Sequence, residues 1–556
     1  MTEFLVVIVV ALVVIAASTV VAPRLGVAAP LVLVGVGLAA SFLPVFDGLE
    51  IDPEWILAGV LPPLLYSAAV SMPAMDFRRE FGAIGGLSVL LVVGTSLVLG
   101  LFFVLVLPDL GFAWGVALGA VVSPTDAVAT SIIKKSPVSG RVVAILDGES
   151  LLNDATALVL LRTAIVAAAG SFSVGGAVGS FAWSVVVATA VGGAVGWLAL
   201  HVRRRFPDAT AATVVSFTVP FVAAVPTELL GASGLVAAVV AGIVTGVRAP
   251  RLLSSRARLS DAQNWRTVEL VLEGAVFLAL GVQLTGIVDA VESDHGGSLQ
   301  AVLVAAGALA LTLLVRAAYV APLLAVLALS GRRHHAIRPR VQDMHERLAT
   351  PDGGQQAFAE VAPRRRSPTE RDLQRFGLRL TRLLADIEYF VRAPLGWRDG
   401  TVVVWAGMRG AVTVAAAQSL PEDAPQRPVL VLVAFAVALL SLLVQGSTVG
   451  PLVRRLGRSV DRTTAEAQVR EDRAAVVALL REAGGTVPAP ERPTGDPTPD
   501  QIEEGRRRML AVVAAQRSAL LDARDAGTFD AGVLEDALTD LDASELAIEV
   551  RGRPRG

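Results

Sequence analysis

About thirteen times between Phe4 and Val453 the chain runs apolar for long enough to cross the roughly 30 Å hydrocarbon core of a bilayer, and nothing else in the sequence limits its fold as tightly. The runs are Phe4–Val21, Leu25–Leu43, Trp55–Val70, Phe81–Leu107, Phe112–Ile133, Val142–Ala169, Phe181–Leu200, Ala211–Val225, Leu229–Val247, Thr267–Leu284, Leu299–Leu329, Thr401–Gln418 and Val429–Leu452. Backbone inside hydrocarbon must satisfy its own N–H and C=O groups, so each run is expected to be helical. Hydrophobic residues are 54% of the chain and the mean hydropathy is +0.63, far above a soluble domain of this length. The fold class is therefore an all-α polytopic membrane protein. The first run follows Met1-Thr2-Glu3 with no basic segment and no small-residue cleavage site, and reads as a retained span.

The connecting segments give the orientation. Arg24, Arg78-Arg79, Lys134-Lys135 with Arg141, Arg203-Arg204-Arg205 and the stretch from Arg248 to Arg258 follow odd-numbered runs. Asp47, Glu50, Asp52, Glu54, Asp109, Asp289, Glu292, Asp294, Glu422 and Asp423 follow even-numbered ones. Basic residues stay on the cytoplasmic face, which puts the N-terminus outside and the C-terminus in the cytoplasm of a multi-pass plasma-membrane protein. The formal net charge of −2 conceals this asymmetry. Trp55, Trp114, Trp183, Trp197, Trp265 and Trp405 lie near run ends, where an indole keeps one wet edge.

Two domains follow: a membrane domain over 1–456 and a cytoplasmic tail over 457–556. The membrane domain includes a basic, polar cytoplasmic loop over 330–400, with Arg332-Arg333-His334-His335 and Arg364-Arg365-Arg366. In the tail, Ala465–Glu482 and Gln501–Arg524 read as amphipathic helices flanking a Pro-rich break at Val487–Pro499, which suits a regulatory or assembly segment. The chain has no cysteine, so thiolate metal sites and disulfides are excluded. All histidines (His201, His295, His334, His335, His345) fall outside the runs, so no intramembrane imidazole serves catalysis or metal binding.

Polar words interrupt this apolar background. An ionisable residue in a membrane span costs about 2.5 kcal/mol or more at mid-helix and marks a functional site by default. The sixth run contains Gly148-Glu149-Ser150-Leu151-Leu152-Asn153-Asp154. Residues four apart share a helix face, so Glu149 aligns with Asn153 and Ser150 with Asp154. This stripe offers only oxygen ligands, which suits a hard cation. The fifth run contains Ser123-Pro124-Thr125-Asp126. Proline removes a backbone hydrogen bond and clashes with a preceding carbonyl, so the helix should break there and offer Thr125 and Asp126 as ligands beside the stripe, the alternative for Asp126 being a cap on the broken helix end. The twelfth run carries Gly407-Met408-Arg409-Gly410. If runs 1–6 and 8–13 form two inverted six-helix repeats, the fifth and twelfth are equivalent, and paired broken helices point to alternating-access transport. Arg316 is the remaining buried base, with Glu149 its expected partner in a structural salt bridge. Asp154 has no basic residue allotted to it and must be protonated or cation-bound. Glu269 and Glu273 lie near the start of the tenth run, where an interfacial or pore-mouth role and a purely structural one are equally open.

At these residues the chain resembles the monovalent cation:proton antiporters of the first subfamily, which include bacterial sodium/proton antiporters and animal sodium/proton exchangers. The resemblance spans about Phe4 to Leu456 and rests on four segments in order: Leu61-Pro62-Pro63-Leu64-Leu65-Tyr66, Ser123–Asp126, Gly148–Asp154 and Gly407–Ala411. It implies a homodimer with a dimerisation domain and a mobile core domain in which the broken fifth and twelfth helices cross. It implies that Asp154 is the ion- and proton-binding aspartate, Asn153 its neighbouring amide, and Thr125, Asp126 and Ser150 the rest of a monovalent-cation site. Glu149 with Arg316 resembles the family's stabilising salt bridge, and Arg409, between Gly407 and Gly410, its twelfth-helix basic residue. Some members carry an acid just after the Leu-Pro-Pro-Leu-Leu-aromatic segment, where this chain has Ser67, so a gating role for that acid does not transfer.

The expected function is exchange of sodium, or of lithium or potassium, for protons, with no cofactor and no enzymatic activity. Membrane lipid, monovalent cations, protons and a second copy are the expected partners, and nucleic acid is not. With an amide at Asn153 in place of a second acid, exchange is expected to be electroneutral. A potassium/proton antiporter is the alternative of the same class. A cation channel lacks support because no Thr-Val-Gly-Tyr-Gly filter is present. An intramembrane aspartyl protease would need a Gly-x-Gly-Asp context, whereas Asp126 follows Ser-Pro-Thr and Asp154 follows Leu-Leu-Asn.

Overall fold

The computed structural model describes residues 2–25, 27–44, 52–107, 109–126, 128–134, 136, 138–170, 173–206, 208–294, 297–348, 350–361, 369–456, 462–489 and 498–551. Of the sequence features above, Asp47, Glu50, Lys135, His295, Arg364-Arg365-Arg366 and most of Val487–Pro499 lie outside them.

Every apolar run falls on helix, and no strand occurs among the described residues. Nine helices there are long and apolar enough to cross a membrane: Leu5–Leu25, Ala74–Val106, Gly140–Ala168, Gly175–Arg203, Ala209–Leu229, Gly234–Leu252, Ser255–Glu292, Ser298–Arg347 and Arg427–Leu456. Ala29–Ala40, Trp55–Ser71 and Phe112–Val122 are shorter apolar helices. Large aliphatic side chains such as Leu105 and Leu229 point outward at 76% and 83% exposure. An exposed apolar surface of this kind is stable against lipid and unstable against water.

The fifth and twelfth runs are each two half-helices. Phe112–Val122 stops at Ser123-Pro124-Thr125-Asp126, and the chain resumes helix at Val128–Ile133. Trp397–Trp405 stops before Gly407, and helix resumes at Ala411–Gln418. Pro124 has no N–H to continue the ladder. Gly407 and Gly410 are required by close approach. A Cβ on Gly407 would lie 2.7 Å from Arg316 Nε, and one on Gly410 would collide with Asp126 Oδ2.

Several sequence expectations change. The 330–400 segment is largely helical, because the eleventh run continues as one helix over Ser298–Arg347 and is followed by Pro351–Val361 and Glu370–Arg392. The tenth run begins its helix at Ser255, so Glu269 and Glu273 sit several turns inside it and not near its start. Hydropathy marks where a helix becomes apolar, whereas helical hydrogen bonding continues through polar sequence. The tail adds a third helix, Ala531–Arg551, to Arg462–Gly485 and Pro499–Ala526.

Arg316 is also not the remaining buried base. Arg141 and Arg203, expected in cytoplasmic connections, are buried and paired. Arg141 Nε meets Glu80 Oε1 at 2.6 Å, and Arg203 pairs with Asp261. Trp265, expected at an interface, is buried against Tyr66 and donates its indole N–H to Ser216 Oγ at 3.1 Å. Arg141 and Arg203 sit at helix ends and Trp265 inside a helix, but each is covered by residues of a neighbouring helix, which spacing along one helix does not reveal.

The described chain divides into two units. The first comprises Met1–Leu252, Ser260–Leu323 and Gly396–Ser459, and holds both interrupted helices. The second comprises Leu253–Leu259, Leu324–Leu395 and Val460–Gly556. Its cores are Val341, Met344, Leu380 and Ile387 between two helices, and Val476, Val513, Leu520, Val533, Leu534 and Leu541 among the tail helices. Within this unit Ser255, Arg258, Arg517, Asp542 and Glu545 form a charged hydrogen-bonded cluster.

Candidate ion site

Backbone and side chains of the two interruptions complete one another. The amide of Asp126 donates to the carbonyl of Met408 at 2.7 Å. Arg409 Nε donates to the carbonyl of Val122 at 3.1 Å, and the same guanidinium reaches the Gly407 carbonyl. A cation at the C-terminal end of Phe112–Val122 is where a helix dipole favours positive charge, and it satisfies a carbonyl that the break left without an amide. The Arg409 amide donates to Ser441 Oγ at 2.9 Å. Asp126 Oδ1 accepts from the amide of Val128 at 3.1 Å and so caps the resumed half-helix, while its other oxygen lies against Gly410.

The Gly140–Ala168 helix packs beside these breaks with its polar stripe inward. Glu149, Asn153 and Asp154 are buried, as is Thr125. Arg316 and Glu149 form a two-pronged pair, one prong being Nη2 to Oε2 at 2.6 Å, and Arg316 Nε donates to the Val403 carbonyl at 2.9 Å. The Thr125 hydroxyl donates to Glu149 Oε1 at 3.4 Å and accepts from Asn153 Nδ2 at 2.5 Å. Arginine, carboxylate, hydroxyl and amide thus form one continuous chain from the eleventh run to the fifth and sixth.

Asp154 stands outside that chain. Its Oδ1 is buried and has no hydrogen-bond partner among the described residues, and the same is true of Asn153 Oδ1. A second carboxylate, Asp126, acts on it electrostatically. Glu273 in turn feels Asp126 and Glu269, and its helix packs Val276 against Ala415 of the resumed twelfth helix. A buried carboxylate oxygen without a donor costs several kcal/mol unless a proton or a cation neutralises it. Ser150 is not brought into the cluster: its hydroxyl donates to the carbonyls of Leu146 at 3.0 Å and Asp147 at 3.2 Å on its own helix. Ser67 is buried. Sequence reasoning missed Glu80, a buried acid carried on the helix that packs against the ion-site helix. The signal available was its place inside the basic cluster Arg78-Arg79, a context that usually pairs.

Two interrupted helices that meet beside a helix carrying buried acids, within a bundle of apolar helices, are the arrangement of a membrane ion transporter. The sodium/hydrogen exchanger transmembrane family model matches residues 7–341 and 376–455, and the chain belongs to that family. It is 28% identical to an uncharacterized Na(+)/H(+) exchanger of Mycobacterium tuberculosis, over 98% of this chain and 96% of the relative. It is 24% identical to a Na(+)/H(+) antiporter of Aphanothece halophytica, over 86% of this chain and 80% of the relative. A Bacillus subtilis sodium, potassium, lithium and rubidium/H(+) antiporter is 30% identical over 48% of this chain and 41% of its own length. The fold is that of the sodium proton antiporter MjNhaP1 of Methanocaldococcus jannaschii, with a TM-score of 0.54 at 15% identity, covering 82% of this chain and all of that one. The protein is a multi-pass membrane cation/proton antiporter.

Proposed function

We propose that the protein exchanges sodium for protons across the plasma membrane by alternating access, with Asp154 as the group that carries each in turn. The observation that supports this most directly is that Asp154 Oδ1 and Asn153 Oδ1 are buried with no hydrogen-bond partner among the described residues. Such buried oxygens lack a positive partner, which a proton or a monovalent cation supplies. The paired interruptions support alternating access, since each half-helix can move with its own side of the bundle while the crossing stays together. Glu149 and Arg316 hold the core and are not emptied during the cycle. Asp126, already capping Val128, is a fixed member of the site and contributes charge and an oxygen. One carboxylate neutralised alternately by one proton or one cation makes the exchange electroneutral. Two copies form the transporting dimer, with the N-terminus outside. The 457–556 tail, which has its own core and none of the motif residues, regulates or assembles without transporting.

The test uses purified protein in liposomes with a preset pH gradient, adding sodium, lithium and potassium in turn. Dissipation of the gradient that depends on the cation supports the reading, and its absence with every cation overturns it. A second reading, broad selectivity that includes potassium, is favoured by the likeness to the Bacillus subtilis protein, whose name includes four cations. Equal rates with sodium and potassium would establish it.

A further inference from the structure

The fourth run is a single helical stretch, Ala74–Val106, whose middle is a π-helical turn over Gly86–Leu91. A π turn widens the helix by a residue and is frequent at functional sites. This one carries Ser88, which is completely buried. Several buried hydroxyls in this bundle bond back to their own helix, as Ser96 does to the Val92 carbonyl at 2.8 Å and Thr227 to the Ala223 carbonyl at 2.7 Å. Ser88 instead reaches across, donating to the backbone carbonyl of Glu149 at 3.2 Å. One turn away Ile84 lies so close to Gly148 that a Cβ there would collide with its Cδ1. At the other end of the π turn the Val92 carbonyl accepts from Ser123, the first residue of the fifth-run break, at 3.5 Å.

The Glu149 carbonyl is also the partner that α-helical geometry assigns to the Asn153 amide. Ser88 therefore bonds the peptide that fixes where the Asn153 side chain stands, and that side chain meets Thr125. We propose that Ser88 is a positioning residue for cation binding: with Ser123, it locks the register of the Gly140–Ala168 helix to the fifth-run break, so that Asn153, Thr125 and Asp154 converge on one ion. Ser88 touches no transported ion, and its effect passes through the Glu149–Asn153 backbone. This rests on the transport reading above.

The experiment compares wild type, Ser88→Ala, Ser88→Thr and Thr227→Ala in proteoliposomes, titrating sodium against proton flux, with a parallel sodium titration of the melting temperature in detergent. Ser88→Ala should raise the half-saturating sodium concentration about three- to tenfold, the change expected from one hydrogen bond, in both measurements, with maximal flux within about twofold of wild type. Ser88→Thr keeps the hydroxyl and should restore sodium affinity, while Thr227→Ala, which removes a buried hydroxyl bonded to its own helix, should leave it unchanged. A half-saturation in Ser88→Ala equal to that of wild type or of a matching Thr227→Ala overturns the assignment, as does a fall in melting temperature and maximal flux without a change in half-saturation. A wild-type protein that moves no protons with any cation refutes the transport reading instead.

Discussion

Glu149 and Asp154 are carboxylates five residues apart on one helix, both buried, and the structure treats them oppositely. Glu149 is held by both prongs of Arg316 and by the Thr125 hydroxyl. Asp154 Oδ1 has no hydrogen-bond partner among the described residues. Burial alone therefore does not identify a carrier group. A buried charge whose partners are supplied by the fold is fixed, because removing a partner exposes the full desolvation cost. One whose partners are missing must take its neutralising charge from outside. Under the proposed function the first acid supports the core and the second carries the ion.

The sharpest way to break this contrast is Asp154→Asn. The variant should insert and fold with cation-dependent proton flux reduced to background, and robust flux in it would end the assignment. Next in size is the pair itself. Glu149→Leu or Arg316→Leu alone should cost about 3–5 kcal/mol of stability, with the double variant well short of the sum. A thermal-stability double-mutant cycle in detergent measures this, and additive losses would show that the two charges do not support one another. Third is charge balance: if Asp154 alone is loaded alternately, the sodium gradient at which exchange stops should not move with membrane potential. That potential is worth about 2.3 kcal/mol per elementary charge per 100 mV. A reversal point that shifts in potassium/valinomycin clamped liposomes would bring Asp126 in as a second proton carrier.

Smaller effects are expected away from the site. A chain ending near Asp461 should keep exchange while its pH dependence or surface abundance changes, and loss of turnover in an inserted truncation would give the tail a transport role. The smallest concerns Glu503 in the tail, whose carboxyl is held below the usual glutamate range by the hydrogen bonds Arg506 donates at 2.7 and 2.6 Å. A depressed carboxylate contributes stability above its unfolded pKa and loses it as pH falls through the folded one. Glu503→Gln should therefore alter tail melting slightly at neutral pH and not at all in strong acid, a difference that exposed pairs keep small.

The sequence by itself determined the membrane class, the helical runs, the two places where helices break and the face on which Glu149 and Asn153 align. These follow from local physics: hydrocarbon demands about twenty apolar residues, proline lacks an N–H, and residues four apart share a face. A lone arginine in an apolar run also needs an acid, so Arg316 could be given Glu149 as its expected partner, and the two meet. Only the tertiary structure decided which groups remain without partners. It buried Arg141 and Arg203 against Glu80 and Asp261, turned Ser150 onto its own helix, tied the Asp126 amide to the Met408 carbonyl, and set Ser88 on the backbone of Glu149. Periodicity fixes the direction of a side chain about its own axis. What stands opposite depends on the neighbouring helix and its register, set by contacts between residues tens to hundreds of positions apart.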